Sequence, residues 1–315
     1  MGVVFGSLTP PEQLSAGSRL AESLGFRELW FSEDCFFTGA MSGMTQMLAS
    51  THRIPVGLGL ASTQTRHPAL LAMELAGLAR MHPGRVRATL GLGNAHWLRQ
   101  MGTFPDRPLS ALVNDFDAVG SLLAGESVTR AGGPGHTFDD ITLSFPPAVS
   151  PPLLMGAVNE RALRAAGARA DGVLLSVLAG PAYVQWAREQ VAAGAAAVGR
   201  AVPPITVFVL ASVDDDPDRA RDAVADAVSD AGRDHASGSR AGVRRCRETR
   251  GRRRQAPLAA GSRSRRRGPV DVPERRARGA AAPGGEPGAA RTRLIVVPKD
   301  SRSAPEVEAS MPPAS

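Results

Sequence analysis

The chain has 315 residues, with 36 arginines against one lysine, 30 acidic residues, two cysteines and 43% hydrophobic residues. That length suits one large domain of barrel size or two ordinary ones, each able to bury a core. Cys35 and Cys246 are too few for a disulfide framework, and no apolar run approaches the roughly 18 residues of a membrane span. Met1–Gly6 has neither the charged start of a secretory leader nor the Ser or Thr that myristoylation wants at position 6. The expectation is a cytoplasmic protein with no membrane association.

The net charge of +7 is unevenly placed: residues 1–235 carry −5, residues 236–291 carry +12, and residues 292–315 are neutral. A basic patch on a folded surface draws its residues from many parts of a chain. The basic excess here is one compositional block.

Short apolar runs alternate with helical patterns through the first 235 residues, the signature of βα units around a parallel sheet. The runs predict strands near 2–6, 28–32, 54–60, 86–91, 152–156, 172–176 and 204–211, with an eighth at Leu294-Ile295-Val296-Val297. They are almost continuously apolar, as strands covered on both faces require. Thr9-Pro10-Pro11-Glu12 reads as a capping box with proline at the first helical position, followed by Ala16, Leu20 and Leu24 on one face. Leu71, Leu75 and Leu78 recur at helical spacing before the break at His82-Pro83-Gly84, and Gly180-Pro181 and Asp216-Pro217 open two later helices. Eight strands with helices between them favour a TIM (β/α)8 barrel over an open doubly wound sheet. Residues 1–235 are its seven-stranded body, 292–315 a last strand and tail. Segment 236–291, rich in Arg, Ala, Gly and Pro and without aromatics, cannot offset its conformational entropy by burial and reads as disordered.

In such a barrel the chemistry sits on the loops that follow the strands. After strand 2, Ser32-Glu33-Asp34-Cys35-Phe36-Phe37 sets two carboxylates beside aromatic rings; a partly desolvated carboxyl there can act as a general acid or base. The plainer reading of paired acids is a charge pair at a helix N-terminus. After strand 3, Thr65, Arg66 and His67 either meet an anion or merely precede a proline-started helix. After strand 4, Gly93 and Asn94 offer backbone amides to a phosphate, and His96 is a proton donor or a satisfied structural histidine. Gly156-Ala157-Val158-Asn159 runs into a helix whose free amides and dipole suit an anion, although ordinary βα turns also prefer Gly and Asn. Ser176 marks a second phosphate edge after strand 6. No HExxH, CxxC, Walker loop or Gly-x-Ser-x-Gly occurs, and the six histidines lack ligand spacing, so neither a metal nor a Ser or Cys nucleophile is expected.

The order and spacing of several segments carry a resemblance. They are Ala21-Glu22-Ser23-Leu24-Gly25-Phe26-Arg27-Glu28-Leu29-Trp30-Phe31-Ser32-Glu33-Asp34, Ser50-Thr51-His52-Arg53-Ile54, Thr65-Arg66-His67-Pro68, Gly91-Leu92-Gly93, Pro151–Asn159, Ala170–Leu175 and Ala192–Arg200. Over residues 1–235 the chain resembles the luciferase-like monooxygenase superfamily, in its coenzyme F420-dependent branch, and most of all the methylenetetrahydromethanopterin reductase-like proteins. The resemblance implies a TIM barrel with a deazaflavin or flavin in its mouth and a non-prolyl cis peptide at Gly59-Leu60 behind the ring. It implies a cofactor phosphate at Gly93, Asn94 and the turn Gly156, Ala157, Val158 and Asn159. The function implied is hydride transfer between coenzyme F420 and a small organic substrate, with Asp34 and Glu33 polarising or protonating the substrate and His96 as a second donor. Family members often form homodimers, and FMN with oxygen is the alternative cofactor chemistry.

Three departures stand out. Many relatives have histidine where Asp34 stands, and some sugar-phosphate-oxidising relatives have glutamate where His96 stands, so the chemistry of those relatives does not transfer. The third is the 236–291 block, which replaces family material while Arg293–Pro298 resembles the last strand. Its abrupt composition suggests translation out of frame, with the frame restored near 292 and activity impaired. A reading of another class makes Arg240–Arg278 a nucleic-acid-binding arm, which would be salt-dependent and unspecific because no aromatic interleaves the arginines.

Overall fold

A computed structural model describes residues 1–6, 9–222 and 224–225 together with the backbone of 291–296. The barrel strands are β1 (Val3–Phe5), β2 (Leu29–Phe31), β3 (Val56–Ser62), β4 (Val86–Gly91), β7 (Leu153–Gly156), β8 (Gly172–Leu175), β9 (Ile205–Ala211) and β10 (Arg291–Val296). A hairpin of β5 (Val128–Arg130) and β6 (Phe138–Ile141) lies outside the ring. All ring pairings are parallel, in the closed order β1-β10-β9-β8-β7-β4-β3-β2. The predicted strands fall within two residues of those found, and the eighth begins at Arg291 rather than Leu294. The disordered, out-of-frame and nucleic-acid-binding readings of the Arg-rich block concern residues up to 290 that lie outside those described. No helix among the described residues is long and apolar enough to cross a membrane.

Alternation along the strands separates two apolar layers. Residues such as Leu29, Phe31, Val56, Leu58, Val86, Ala88 and Leu90 face the helices and join the main core. Val4, Trp30, Leu154, Leu174 and Phe208 fill the barrel itself, with Trp30 and Phe208 edge to face at 5.6 Å. The rings fit because β3 presents glycines to them. A Cβ on Gly57 would stand 2.6 Å from Trp30, and one on Gly59 would stand 2.7 Å from Phe208. At the bottom, buried Glu28 accepts from Trp30 Nε1 at 3.1 Å and pairs with Arg87 at 3.0 Å.

The helices are α1 (Leu14–Ser23), α2 (Ala40–Ala49), α3 (Pro68–Met81), α4 (Ala95–Gln100), α5 (Pro108–Leu123), α6 (Glu160–Arg169) and α7 (Pro181–Ala196). Leu71, Leu75 and Leu78 are buried on α3, as their spacing predicts. Asp216 caps a helical segment that starts at 217, accepting from Asp218 N at 2.9 Å.

On α1 the sequence reading is corrected twice. A 3-10 turn, Pro11–Gln13, precedes the helix, and the helix has no side-chain cap from the Thr9 box. The buried face is Leu14, Ser18 and Ala21, whereas Ala16, Leu20 and Leu24 are exposed. The reason is close approach: a Cβ on Gly17 would be 2.7 Å from the Phe5 ring, so α1 meets the barrel through its small residues.

Candidate active site

Because every barrel strand runs the same way, the loops after β2, β3, β4, β7 and β8 rise from one end of the ring, and that mouth gathers the predicted site residues. At the end of β3 the Gly59–Leu60 peptide is cis, where the resemblance placed it, and the pairing with β4 shifts register there. The Leu60 side chain crosses the ends of two neighbouring strands. A Cβ on Gly91 would lie 2.7 Å from Leu60 Cδ2, and one on Gly156 would lie 2.5 Å from it. Both strands must therefore end in glycine for Leu60 to be seated. Gly59 itself faces the barrel core.

After β2, Glu33 is committed to structure. Its Oε1 accepts from Ala40 N, the first amide of α2, at 2.8 Å and also from Arg66 NH2. Arg66 reaches on to Glu74 of α3 at 3.6 Å. Of the two readings of the paired acids, the helix-terminal one describes Glu33. Asp34 follows it, half-buried, while the backbone turns so that Phe36 takes a positive φ of 74°. Burial, with Glu33 and Asp34 beside it, pushes the Cys35 thiol up.

Arg66 and His67 follow the plainer of their two readings. His67 caps α3, its Nδ1 accepting from Ala69 N at 3.1 Å while Nε2 lies 3.0 Å from Thr137 O. Only the neutral tautomer with its proton on Nε2 serves both bonds.

After β4, Gly93 has φ 87°, and a Cβ there would be 2.9 Å from Ser62. Asn94 Oδ1 is engaged in capping the short α4, accepting from His96 N at 2.9 Å, and His96 is exposed. After β7, Asn159 Oδ1 accepts from Ala162 N at 3.0 Å. The amides of Glu160 and Arg161 have no partner within the helix by its geometry, and the positive end of the α6 dipole points out of the turn. The Tyr183 hydroxyl donates to Val158 O at 2.7 Å, tying the turn to α7. Ala157 is buried, whereas Val158 and Ser176 are exposed. Leu60, Gly156 and Gly91 are thus in contact, Gly93 meets Ser62, and Glu33 meets Arg66. His96 is brought into none of these contacts.

One polar cluster beside the mouth has no counterpart in the motif reading. Asp115 of α5 is fully buried and accepts from His136 N at 2.9 Å on one oxygen. Its other oxygen takes His136 Nδ1 at 2.9 Å and Gln64 Nε2 at 2.9 Å. His136 stacks edge-on against His67 at 5.0 Å. The cluster ties the β5–β6 hairpin to α5 and to the loop after β3. The legible signal was Gly132-Gly133-Pro134-Gly135, a turn sequence between two short runs.

A closed parallel barrel with its polar loops, glycine strand ends and free helix amides at one mouth defines a TIM-barrel enzyme scaffold. The chain belongs to the luciferase-like monooxygenase family, whose description matches residues 6–295. It is similar to 5,10-methylenetetrahydromethanopterin reductase of Methanolobus tindarius, with 30% identity over 224 residues, 70% of this chain and 68% of that protein. It is also similar to F420-dependent glucose-6-phosphate dehydrogenase of Beutenbergia cavernae, with 30% identity over 226 residues, 67% of this chain and 66% of that protein. The chain thus spans about two thirds of the length of these curated relatives. Among solved structures it shares its fold with the coenzyme F420-dependent tetrahydromethanopterin reductase from Methanopyrus kandleri. That match has a TM-score of 0.64 at 22% identity, covering 71% of this chain and 69% of that one. An F420-dependent secondary alcohol dehydrogenase in complex with an F420–acetone adduct matches with TM-score 0.65 at 22% identity, covering 71% and 73%.

Proposed function

We propose that this chain is a coenzyme F420-dependent oxidoreductase acting on a small organic substrate. The observation that carries the reading is its 30% identity, over two thirds of the chain, to a curated relative whose name states F420 dependence. The residues at the mouth fit a phosphorylated, flat cofactor. The turn Gly156–Asn159 and the first amides of α6 would hold a phosphate, with Gly93 and Asn94 on the neighbouring edge and Ser176 beyond. Leu60, seated over Gly91 and Gly156 and flanked by Gly59, offers an apolar surface to a ring.

When bound, coenzyme F420 supplies hydride acceptance or donation through its deazaflavin. The chain's own part is to exclude water, orient the substrate and move one proton. Asp34, half-buried on the loop after β2, is the group that would hold that proton. His96, exposed on α4, is a second donor reached only by a larger substrate. Oxidation removes a hydride from substrate carbon and a proton from its heteroatom onto Asp34, and reduction reverses both transfers.

The test is a titration of the purified chain with coenzyme F420 and, separately, FMN, followed by a melt. Saturation by coenzyme F420 with a rise in a cooperative melting temperature supports the reading. Selective FMN saturation replaces it with a monooxygenase. Failure to saturate with either, together with tight salt-sensitive binding of DNA, transfers the function to the Arg-rich block.

A further inference from the structure

We infer that the substrate is a molecule with an apolar body, gripped across the mouth by Phe36 and Phe37 on one side and Leu178 on the other. The inference rests on the oxidoreductase reading and narrows its substrate class. Phe36 and Phe37 are 68% and 55% exposed on the loop after β2, and Leu178 is 47% exposed on the loop after β8. In the ring order β2-β3-β4-β7-β8 those two loops stand on opposite sides of the mouth. Val158, 59% exposed, rises from β7 between them.

Backbone geometry sets these side chains apart from ordinary surface residues. Among the described residues only three non-glycines have positive φ: Phe36 at 74°, Leu178 at 69° and Asp140 at 49°. Asp is a residue that tolerates this region, whereas Phe and Leu do not. Two opposed loops thus hold bulky apolar side chains in a costly conformation that directs them to solvent, where burial returns nothing. Strain of this kind is kept at sites where a ligand completes the contact.

The experiment loads the full chain with coenzyme F420 and measures binding of 2-butanone, 2-hexanone, 2-octanone and glucose 6-phosphate by calorimetry. The expected result is affinity rising about fourfold per methylene along the ketones, with no saturation by the sugar phosphate. Phe36→Gly and Leu178→Gly relieve the positive φ, so each variant melts no lower than the parent. Each nonetheless binds 2-octanone about tenfold more weakly, with coenzyme affinity unchanged. A flat ketone series, tighter binding of the sugar phosphate, or glycine variants that bind 2-octanone as well as the parent overturn the inference while the cofactor reading stands. So does a sedimentation shift from dimer to monomer in Phe36→Gly, which would make the aromatic pair a contact between copies of this chain. No saturation by coenzyme F420 overturns both.

Discussion

Leu60 and Gly156 occupy one space: a side chain on Gly156 would place its first carbon 2.5 Å from Leu60 Cδ2. Leu60 follows the cis peptide on β3, and Gly156 ends β7, two strands away in the ring. The mouth is therefore shaped by an agreement between strands: one supplies the bulk and the others supply its absence.

Gly156→Ala tests that agreement. The added methyl overpacks the seat and destabilises by about 1–3 kcal/mol, while tilting Leu60 out of place and weakening coenzyme F420 binding. Adding Leu60→Ala to Gly156→Ala should recover most of the stability and little of the binding. Thermal melts and coenzyme titrations of the single and double variants separate the two effects.

Arg66→Gln removes the link from Glu33 to α3 but leaves the α2 amide bonded to Glu33. With the pair half-buried, the expected loss lies between those of exposed and buried pairs, about 1–3 kcal/mol in urea unfolding. Arg66→Lys recovers only part of it, because one ammonium cannot replace two guanidinium nitrogens aimed at Glu33 and Glu74. Turnover should fall more than stability does, since the same loop carries Asp34.

Asp115→Ala leaves Gln64 and His136 donors without their buried acceptor, at a cost of about 3 kcal/mol. The hairpin 128–141 should lose amide protection before the barrel does. Hydrogen exchange resolves this: uniform loss of protection across the whole chain would contradict the latch role.

Glu22 provides a pH marker far from the mouth. Burial works against its ionisation, yet the amides of Arg53, Ile54 and His52, with His52 charge, outweigh it and bring the carboxyl from 4.5 to about 2. A folded-state value below the unfolded one means the stabilisation is full above about 4.5 and lost as pH falls toward 2. Glu22→Gln should therefore melt below the parent at pH 7, and the gap should close between pH 4.5 and 2.

The break at 236 remains a proposal about the gene. Composition turns abruptly to Arg, Ala, Gly and Pro there, and a regular barrel strand is present again at Arg291–Val296. The coding DNA is expected to continue an amphipathic βα pattern in another frame across 236–290. If neither alternative frame does so, the block is a genuine part of the protein.

Most of the barrel was legible because parallel strands covered on both faces need nearly continuous apolar runs, as at 54–60 and, broken only by Thr206, at 204–211, whereas 86–91 is interrupted by Arg87 and Thr89. Helix α3 was legible because Leu71, Leu75 and Leu78 line its buried face at helical spacing, even though Leu70, Met73 and Met81 are exposed. On α1 Leu20 and Leu24 point outward while Leu14, Ser18 and Ala21 are buried and Gly17 makes the approach, so hydrophobic spacing chose the wrong face. At the site, position along the barrel was readable but engagement was not. Glu33 and Asp34 are neighbours of equal chemistry, and the sequence does not show that Arg66 and the α2 amide arrive at Glu33. Asp115 and His136 meet across 21 residues through a hairpin whose strands are too short to show alternation.

The ring closes between Val3 and Leu294, through a strand bonded to β9 on one side and β1 on the other. A ribosome that adds about 5–20 residues per second completes the first strand tens of seconds before its partner exists. For that interval the nascent chain presents two parallel edges, on β1 and β9, with unpaired amides. Whatever shields those edges during synthesis governs how much of the protein a cell recovers, independently of how stable the finished barrel is.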